Sequence, residues 1–152
     1  MMFKTHLAFG LLVGLIAITI YQTNHKILFF SLVLLFSAFP DIDTHKSKLG
    51  KRFPLISRIL ELVFGHRVFF HSIFPPLILG GIFFITNLNF IAVPIVLGYL
   101  SHLVADGFTK QGTNFLHPIS TLSLHGFVET GGWIEFIIFI LLIITDFIII
   151  VY

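Results

Sequence analysis

Histidine and carboxylate residues recur along this sequence at spacings that suit metal coordination. His102 and Asp106 are four residues apart, and His125 and Glu129 repeat that spacing. Residues four apart lie on the same face of a helix, so each pair could present two ligands to one ion. A salt-bridged histidine is the alternative interpretation of either pair, and Gly126 weakens any helix around the second.

Two further carboxylates, Asp41 and Asp43, follow Pro40, which should stop the preceding helix. Either carboxylate could bind a metal or accept a proton from water, and the spacing alone does not distinguish them. The sequence has no cysteine, so thiolate ligands, disulfides and a cysteine nucleophile are excluded. Imidazole and oxygen ligands remain, and these suit zinc, manganese or iron.

Cationic side chains accompany the candidate ligands. Arg67 lies between His66 and His71, of which either or both could be a ligand, and Lys110 follows Asp106 by four residues. A guanidinium beside metal ligands suits the oxygens of a phosphate group. The alternative is a cluster of long side chains that extend from the membrane edge towards water.

The rest of the sequence around these polar residues is strongly hydrophobic. Hydrophobic residues make up 57% of the sequence and charged residues only 11%, whereas a soluble domain is about 45–50% apolar and about 25% charged. Twenty phenylalanines in 152 residues are too many for one small soluble core. We therefore expect a single integral membrane domain covering residues 1–152, with no nucleic-acid partner.

Five apolar stretches predict an all-α, polytopic bundle of about five transmembrane helices. They cover residues 7–21, 27–39, 73–86, 90–104 and 133–151. Pro54–Phe64 has apolar residues along one face and polar residues along the other, which is typical of an amphipathic helix on the membrane surface.

Five crossings would bring the N-terminus and both long polar loops, residues 40–72 and 106–132, to one side of the membrane. We call this side the long-loop face. Every basic residue except Lys26 falls there. The positive-inside rule therefore predicts a multi-pass protein of the cell (inner) membrane whose long-loop face is in the cytoplasm.

The same topology gathers the candidate ligands at the long-loop face. They are His6, Asp41, Asp43, His66, His71, His102, Asp106, His117, His125 and Glu129. Ionisable groups at a membrane are costly and are usually functional. Because one tetrahedral site needs only three or four ligands, we expect two or three divalent ions, with zinc favoured over manganese or iron.

Four motifs in order, THLAFG, PDID, HRVFFHS and HLVADGFTKQGTNFLHP, resemble the LexA-regulated, membrane-bound metal-dependent hydrolase family (YdjM-like) over nearly the whole chain. This resemblance implies metal-dependent hydrolysis. The functional positions that it implies are His6, Asp41, Asp43, His66, His71, His102 and Asp106.

A more distant similarity is to zinc-dependent phospholipase C and the related single-strand nucleases. Their H-x-x-x-D and H-x-x-x-E motifs match His102/Asp106 and His125/Glu129, with His117 between them. Those enzymes also use an N-terminal tryptophan amine, whereas methionine leads here.

The expected function is hydrolysis of a phosphoester, with a membrane lipid as the favoured substrate because the site lies at headgroup level. Metal ions would activate a water, Asp41 or Asp43 would accept its proton, and Arg67 and Lys110 would bind the phosphate. A metal transporter or sensor is one alternative, although transporter sites usually lie near the bilayer midplane. A structural interface lined by histidines is another.

Overall fold

The computed structural model describes residues 1–64, 68–120 and 123–152. Within these ranges the chain is helical, without a β-strand beyond two isolated bridges, so the all-α prediction is confirmed. The α-helices are α1 (Phe3–Ile20), α2 (Lys26–Ala38), α3 (Lys48–Arg52), α4 (Pro54–Phe64), α5 (Phe74–Ile85), α6 (Asn89–Gly107) and α7 (Trp133–Val151). A short 3₁₀ helix, Phe39–Asp43, continues from α2.

Three helices in the described part of the chain are long and apolar enough to cross a membrane. They are α1, α6 and α7, with 18, 19 and 19 residues. Helices α2 and α5 match the second and third predicted spans but have only 13 and 12 residues, against the roughly 20 that a bilayer core requires. The predicted number of five spans is therefore not confirmed.

Helix α6 lies at the centre and packs against α1, α2 and α5. Two glycines allow the close approach. A Cβ at Gly98 would lie 2.4 Å from the backbone oxygen of Val33 on α2, and one at Gly10 would lie 2.6 Å from Cβ of Ser37. Small residues at such crossings let membrane helices pack backbone against backbone.

Proline and amphipathicity explain the segments between the long helices. Pro40 lies in the 3₁₀ helix that ends α2, and Pro54 starts α4, where its missing N–H costs nothing. The predicted amphipathic helix is confirmed with the same bounds. Its Leu55 and Leu62 side chains are exposed, as expected of a helix that lies in a membrane interface.

The polar groups meet at one end of the bundle. Helices α1 and α7 both begin at this end. Their starts are adjacent, as shown by the backbone N–H of Met2, which donates to Glu135 Oε1 at 2.5 Å. At the opposite end, the ring of His25 lies 5.1 Å from that of Phe90. The predicted gathering of polar residues at one face thus agrees with the helix packing.

Candidate metal centre

Four buried side chains converge where α2 and α6 end. They are Asp41, His71, His102 and Asp106, and one ligand atom from each lies within 4.8 Å of the other three. We call this set the four-residue cluster. Asp41 lies in the 3₁₀ helix, His71 lies in the segment before α5, and the other two residues lie in the last turns of α6.

The separations inside the cluster are slightly longer than those of a coordination shell. His71 Nε2 lies 3.8 Å from Asp41 Oδ1 and 3.6 Å from Asp106 Oδ2. His102 Nε2 lies 4.0 Å and 3.7 Å from the same two oxygens. These distances are too long for hydrogen bonds. Two ligands held about 2.1 Å from a tetrahedral zinc are about 3.4 Å apart, so a divalent ion fits with small adjustments.

The second nitrogen of each imidazole is held by the protein. His102 Nδ1 lies 2.8 Å from the backbone oxygen of Ser37, and His71 Nδ1 lies 3.3 Å from Asp43 Oδ2. An Nδ1–H donated in this way leaves the Nε2 lone pair directed at the cluster, which is how metal-binding histidines are usually oriented. Among the described residues, neither Nε2 has a hydrogen-bond partner.

The electrostatics of the cluster favour a cation. Burial alone would lower the pKa of His71, but the Asp41 and Asp43 carboxylates outweigh it and raise the pKa to about 9. Burial alone would raise the pKa of Asp41, but His71, and then the charges of His102 and His6, hold that pKa well below its usual range. Two buried carboxylates opposite imidazoles therefore require a positive charge, either a proton or a metal ion.

His6 is in contact with the cluster but lies on its far side. Its Nε2 is 3.2 Å from Asp106 Oδ1, and its ring stacks on that of His102 at 3.9 Å. The Met1 amino group also contacts Asp106 Oδ1. Asp106 therefore directs one oxygen at the four-residue cluster and the other at His6, which is the placement that a bridging carboxylate would need.

The structure does not bring the later candidates into the cluster. His125 contacts Ser123, and Glu129 pairs with Lys110 at 3.0 Å with both side chains largely exposed. His117 is half-buried outside the cluster. His66 and Arg67 lie outside the described residues.

The predicted helical pairing of His125 with Glu129 is wrong. Their segment is extended, and its Gly126 and Val128 donate N–H groups to the backbone oxygens of Thr109 and Phe108. A Cβ at Gly126 would lie 2.1 Å from the Phe108 oxygen, so the close approach of this segment to the end of α6 requires glycine. In an extended segment, residues four apart lie on the same face but are about 13 Å apart along the chain, which is too far for both to bind one ion.

Other residues near the cluster were not predicted as ligands or substrate contacts. A polar cavity of about 350 Å³ is lined by Asp41, Lys46 and Lys48, among others. Lys46 precedes α3 and Lys48 begins it, and the sequence marks this segment only by its positive charge. Glu135 accepts the N–H groups of Met2 and Gly131 and so connects α7 to the N-terminus. Ser37 contributes a backbone oxygen, which no side-chain pattern reveals.

The fold and the cluster together define a helical membrane protein with a buried Asp/His site that could hold a metal ion. The chain belongs to the YdjM inner membrane protein family, whose model matches residues 1–151. This match confirms the YdjM-like resemblance and a membrane location. Hydrolase activity, LexA regulation and the similarity to phospholipase C stay predictions.

Curated relatives are similar to part of the chain. A Bacillus subtilis protein, uncharacterized protein YvsG, is 37% identical over 101 residues, which are 63% of this chain and 61% of that protein. Inner membrane protein YdjM of Escherichia coli is 40% identical over 85 residues, or 52% of this chain and 43% of that protein. The matched region thus spans about half the length of these relatives. No solved structure matches the chain.

Proposed function

We propose that this protein is a membrane-embedded, metal-dependent hydrolase that cleaves a phosphoester of a membrane lipid. The observation that carries the proposal is the four-residue cluster, a buried Asp₂His₂ set at the polar end of membrane helices. Buried ionisable groups at membrane helices are usually functional. Hydrolysis is further supported by the polar cavity, which gives Asp41 access from outside and carries two lysines suited to phosphate oxygens.

The roles of the residues follow from their positions. A divalent ion bound by the cluster would lower the pKa of a water and polarise a phosphoryl oxygen. Asp41 lines the polar cavity, so it is the better placed of the two early carboxylates to accept a proton. Asp43 lies behind His71 and orients its ring. Arg67 and Lys110 stay proposed phosphate contacts, and Lys110 would have to leave Glu129 to act.

The finer features of the proposal concern the ions and the membrane. Zinc suits two imidazoles and two carboxylates, with manganese or iron as alternatives. A second ion would use the Asp106 oxygen that faces His6, which supports the expectation of two or three ions. We further propose that α2 and α5 complete five crossings by local thinning of the bilayer, and that the long-loop face is cytoplasmic.

One experiment tests the central claim. The purified protein would be analysed for metal content and assayed in detergent against phospholipids and generic phosphoesters. Asp106→Ala should lower both metal content and hydrolysis by more than about 100-fold, because mutating groups that merely support a ligand already costs 10–100-fold. Asp146→Ala is the matched control, since this buried aspartate lies near the other end of α7. Normal metal binding and hydrolysis by Asp106→Ala would refute the proposal.

A metal transporter or sensor is the second candidate. The number of protein ligands favours this candidate. Four ligands would complete a tetrahedral set, whereas catalytic zinc sites have three protein ligands and keep the fourth position for water. In the same experiment, a protein that binds metal through the cluster and hydrolyses none of the phosphoesters would support this candidate.

A further inference from the structure

An apolar cavity adjoins the four-residue cluster on the membrane side. It has a volume of about 320 Å³ and lies between α1, α6 and α7. Its lining includes Met1, Phe9, Ala105, Val128, Ile138 and Leu142, and no polar surface is exposed in it. Ala105 directly precedes Asp106, so one end of the cavity touches the backbone that carries a ligand of the cluster.

The cavity extends into the depth of one lipid leaflet. Leu142 is nine residues into α7, which places it about 14 Å from the start of that helix at 1.5 Å per residue. Half of a bilayer core is about 15 Å. The cavity therefore runs from the polar end of the bundle towards the midplane, alongside the region that acyl chains occupy.

The polar cavity lies on the other side of the same boundary. Met1 lines both cavities, and its amino group contacts Asp106. Lys46 and Lys48 line the polar cavity together with Asp41, so a cavity that contains two lysines and an apolar cavity both border Met1 beside the cluster. A ligand that fills both needs an apolar end for the apolar cavity, and the two lysines favour an anionic group at its other end.

We infer that the substrate is a phosphate-bearing amphiphile whose alkyl chain occupies the apolar cavity and whose phosphate contacts Lys46 and Lys48. The inference rests on the proposed function of the four-residue cluster and adds which cavity binds each end of the substrate. The volume is at the lower end of the range for small-molecule sites.

The chain-binding part is tested with n-alkyl phosphates of increasing length, and their binding to the purified full chain is measured by native mass spectrometry in detergent. Each added methylene should tighten binding up to about fourfold until the cavity is full. Leu142→Trp should shorten the preferred chain and Leu142→Ala should lengthen it. Leu141→Trp is the matched control, because this neighbouring side chain faces outward, and it should leave the preference unchanged.

The phosphate-binding part is tested by comparing alkyl phosphates with alkanols of equal length. The double variant Lys46→Ala/Lys48→Ala should lose about tenfold in affinity for the phosphates and none for the alkanols. Lys51→Ala is the control, since Lys51 belongs to α3, as Lys48 does, but is not among the residues that line the cavity. Equal loss in the double variant and in Lys51→Ala would overturn the headgroup assignment.

The outcomes separate this inference from the proposed function. Length-dependent binding that responds to residue 142, without hydrolysis of any phosphoester, would support the amphiphile site and refute the hydrolase. Hydrolysis of water-soluble phosphoesters, with no effect of chain length and no difference between the variants at 141 and 142, would keep the hydrolase and overturn the amphiphile site. The opposite directions expected for Leu142→Trp and Leu142→Ala also exclude simple misfolding as the cause.

Discussion

Replacing Asp43 distinguishes a residue that supports a metal ligand from the ligand itself. In the structure, Asp43 Oδ2 lies 3.3 Å from His71 Nδ1, and its other oxygen accepts the Thr44 hydroxyl at 3.0 Å. Asp43 thus contacts the Nδ1 side of the His71 ring, away from the ligand atom Nε2 that faces the other cluster residues. Asp43→Ala should therefore lower metal affinity by 10–100-fold, the usual cost of losing such a partner. This corresponds to about 1.4–2.8 kcal/mol of binding free energy.

A graded series makes the argument quantitative. Asp43→Asn keeps an oxygen that can accept the His71 N–H but removes the charge, so its loss should be smaller than that of Asp43→Ala. Asp41→Asn removes a direct ligand and should lose more than either. Affinity would be measured by competition with a chelator of known affinity, with Glu129→Gln as an exposed control.

The result that would refute this reasoning is equally specific. If Asp43→Ala lost metal as completely as Asp41→Asn while remaining folded by size-exclusion chromatography, Asp43 would be a ligand, and the assignment of His71 Nε2 to the metal would be wrong. An unchanged affinity in Asp43→Ala would show that packing alone orients His71.

Three further predictions concern the helix packing, the topology and the metal. Gly98→Ala should destabilise the protein by about 1–3 kcal/mol because its Cβ would meet the Val33 backbone; an unchanged unfolding temperature would contradict the packing of α2 on α6. Since the sequence has no cysteine, Asn24→Cys and Glu129→Cys can be labelled singly, and a membrane-impermeant reagent should reach them from opposite sides of the membrane. Adding chelator should lower the unfolding temperature by about 5–11 °C if the ion was present at 100 times its dissociation constant, and a metal-free protein with the same temperature would show that the ion contributes nothing to stability.

The helices could be predicted from the sequence because their signals are local. Apolar runs marked α1, α2, α5, α6 and α7, and the alternation of polar and apolar residues marked α4 with its bounds. The predicted pair of His102 and Asp106 falls in one helix and one cluster for the same reason. A four-residue spacing follows from helix geometry alone, without knowledge of the rest of the fold.

The choice among candidate ligands required distances between elements. Asp41 and Asp43 are two residues apart in one 3₁₀ helix, and only its packing against His71 shows that one faces the cluster and the other the back of the imidazole. The pair His125 and Glu129 failed because an extended segment replaced the expected helix. The spacing of residues in the sequence shows neither which aspartate faces the cluster nor whether residues 125–129 form a helix.

The contacts that hold the helices together are also those that orient the ligands. His102 donates to the Ser37 backbone oxygen, and Ser37 lies against Gly10, so this hydrogen bond forms only where α1, α2 and α6 meet. One turn further along α6, Asp106 meets His6 of α1. An ion bound by the cluster would in turn connect α6 to the 3₁₀ helix and to the segment before α5, which are distant in sequence. Helix packing and metal affinity should therefore change together, and a variant such as Gly98→Ala, which touches no ligand, should weaken metal binding in proportion to its loss of stability.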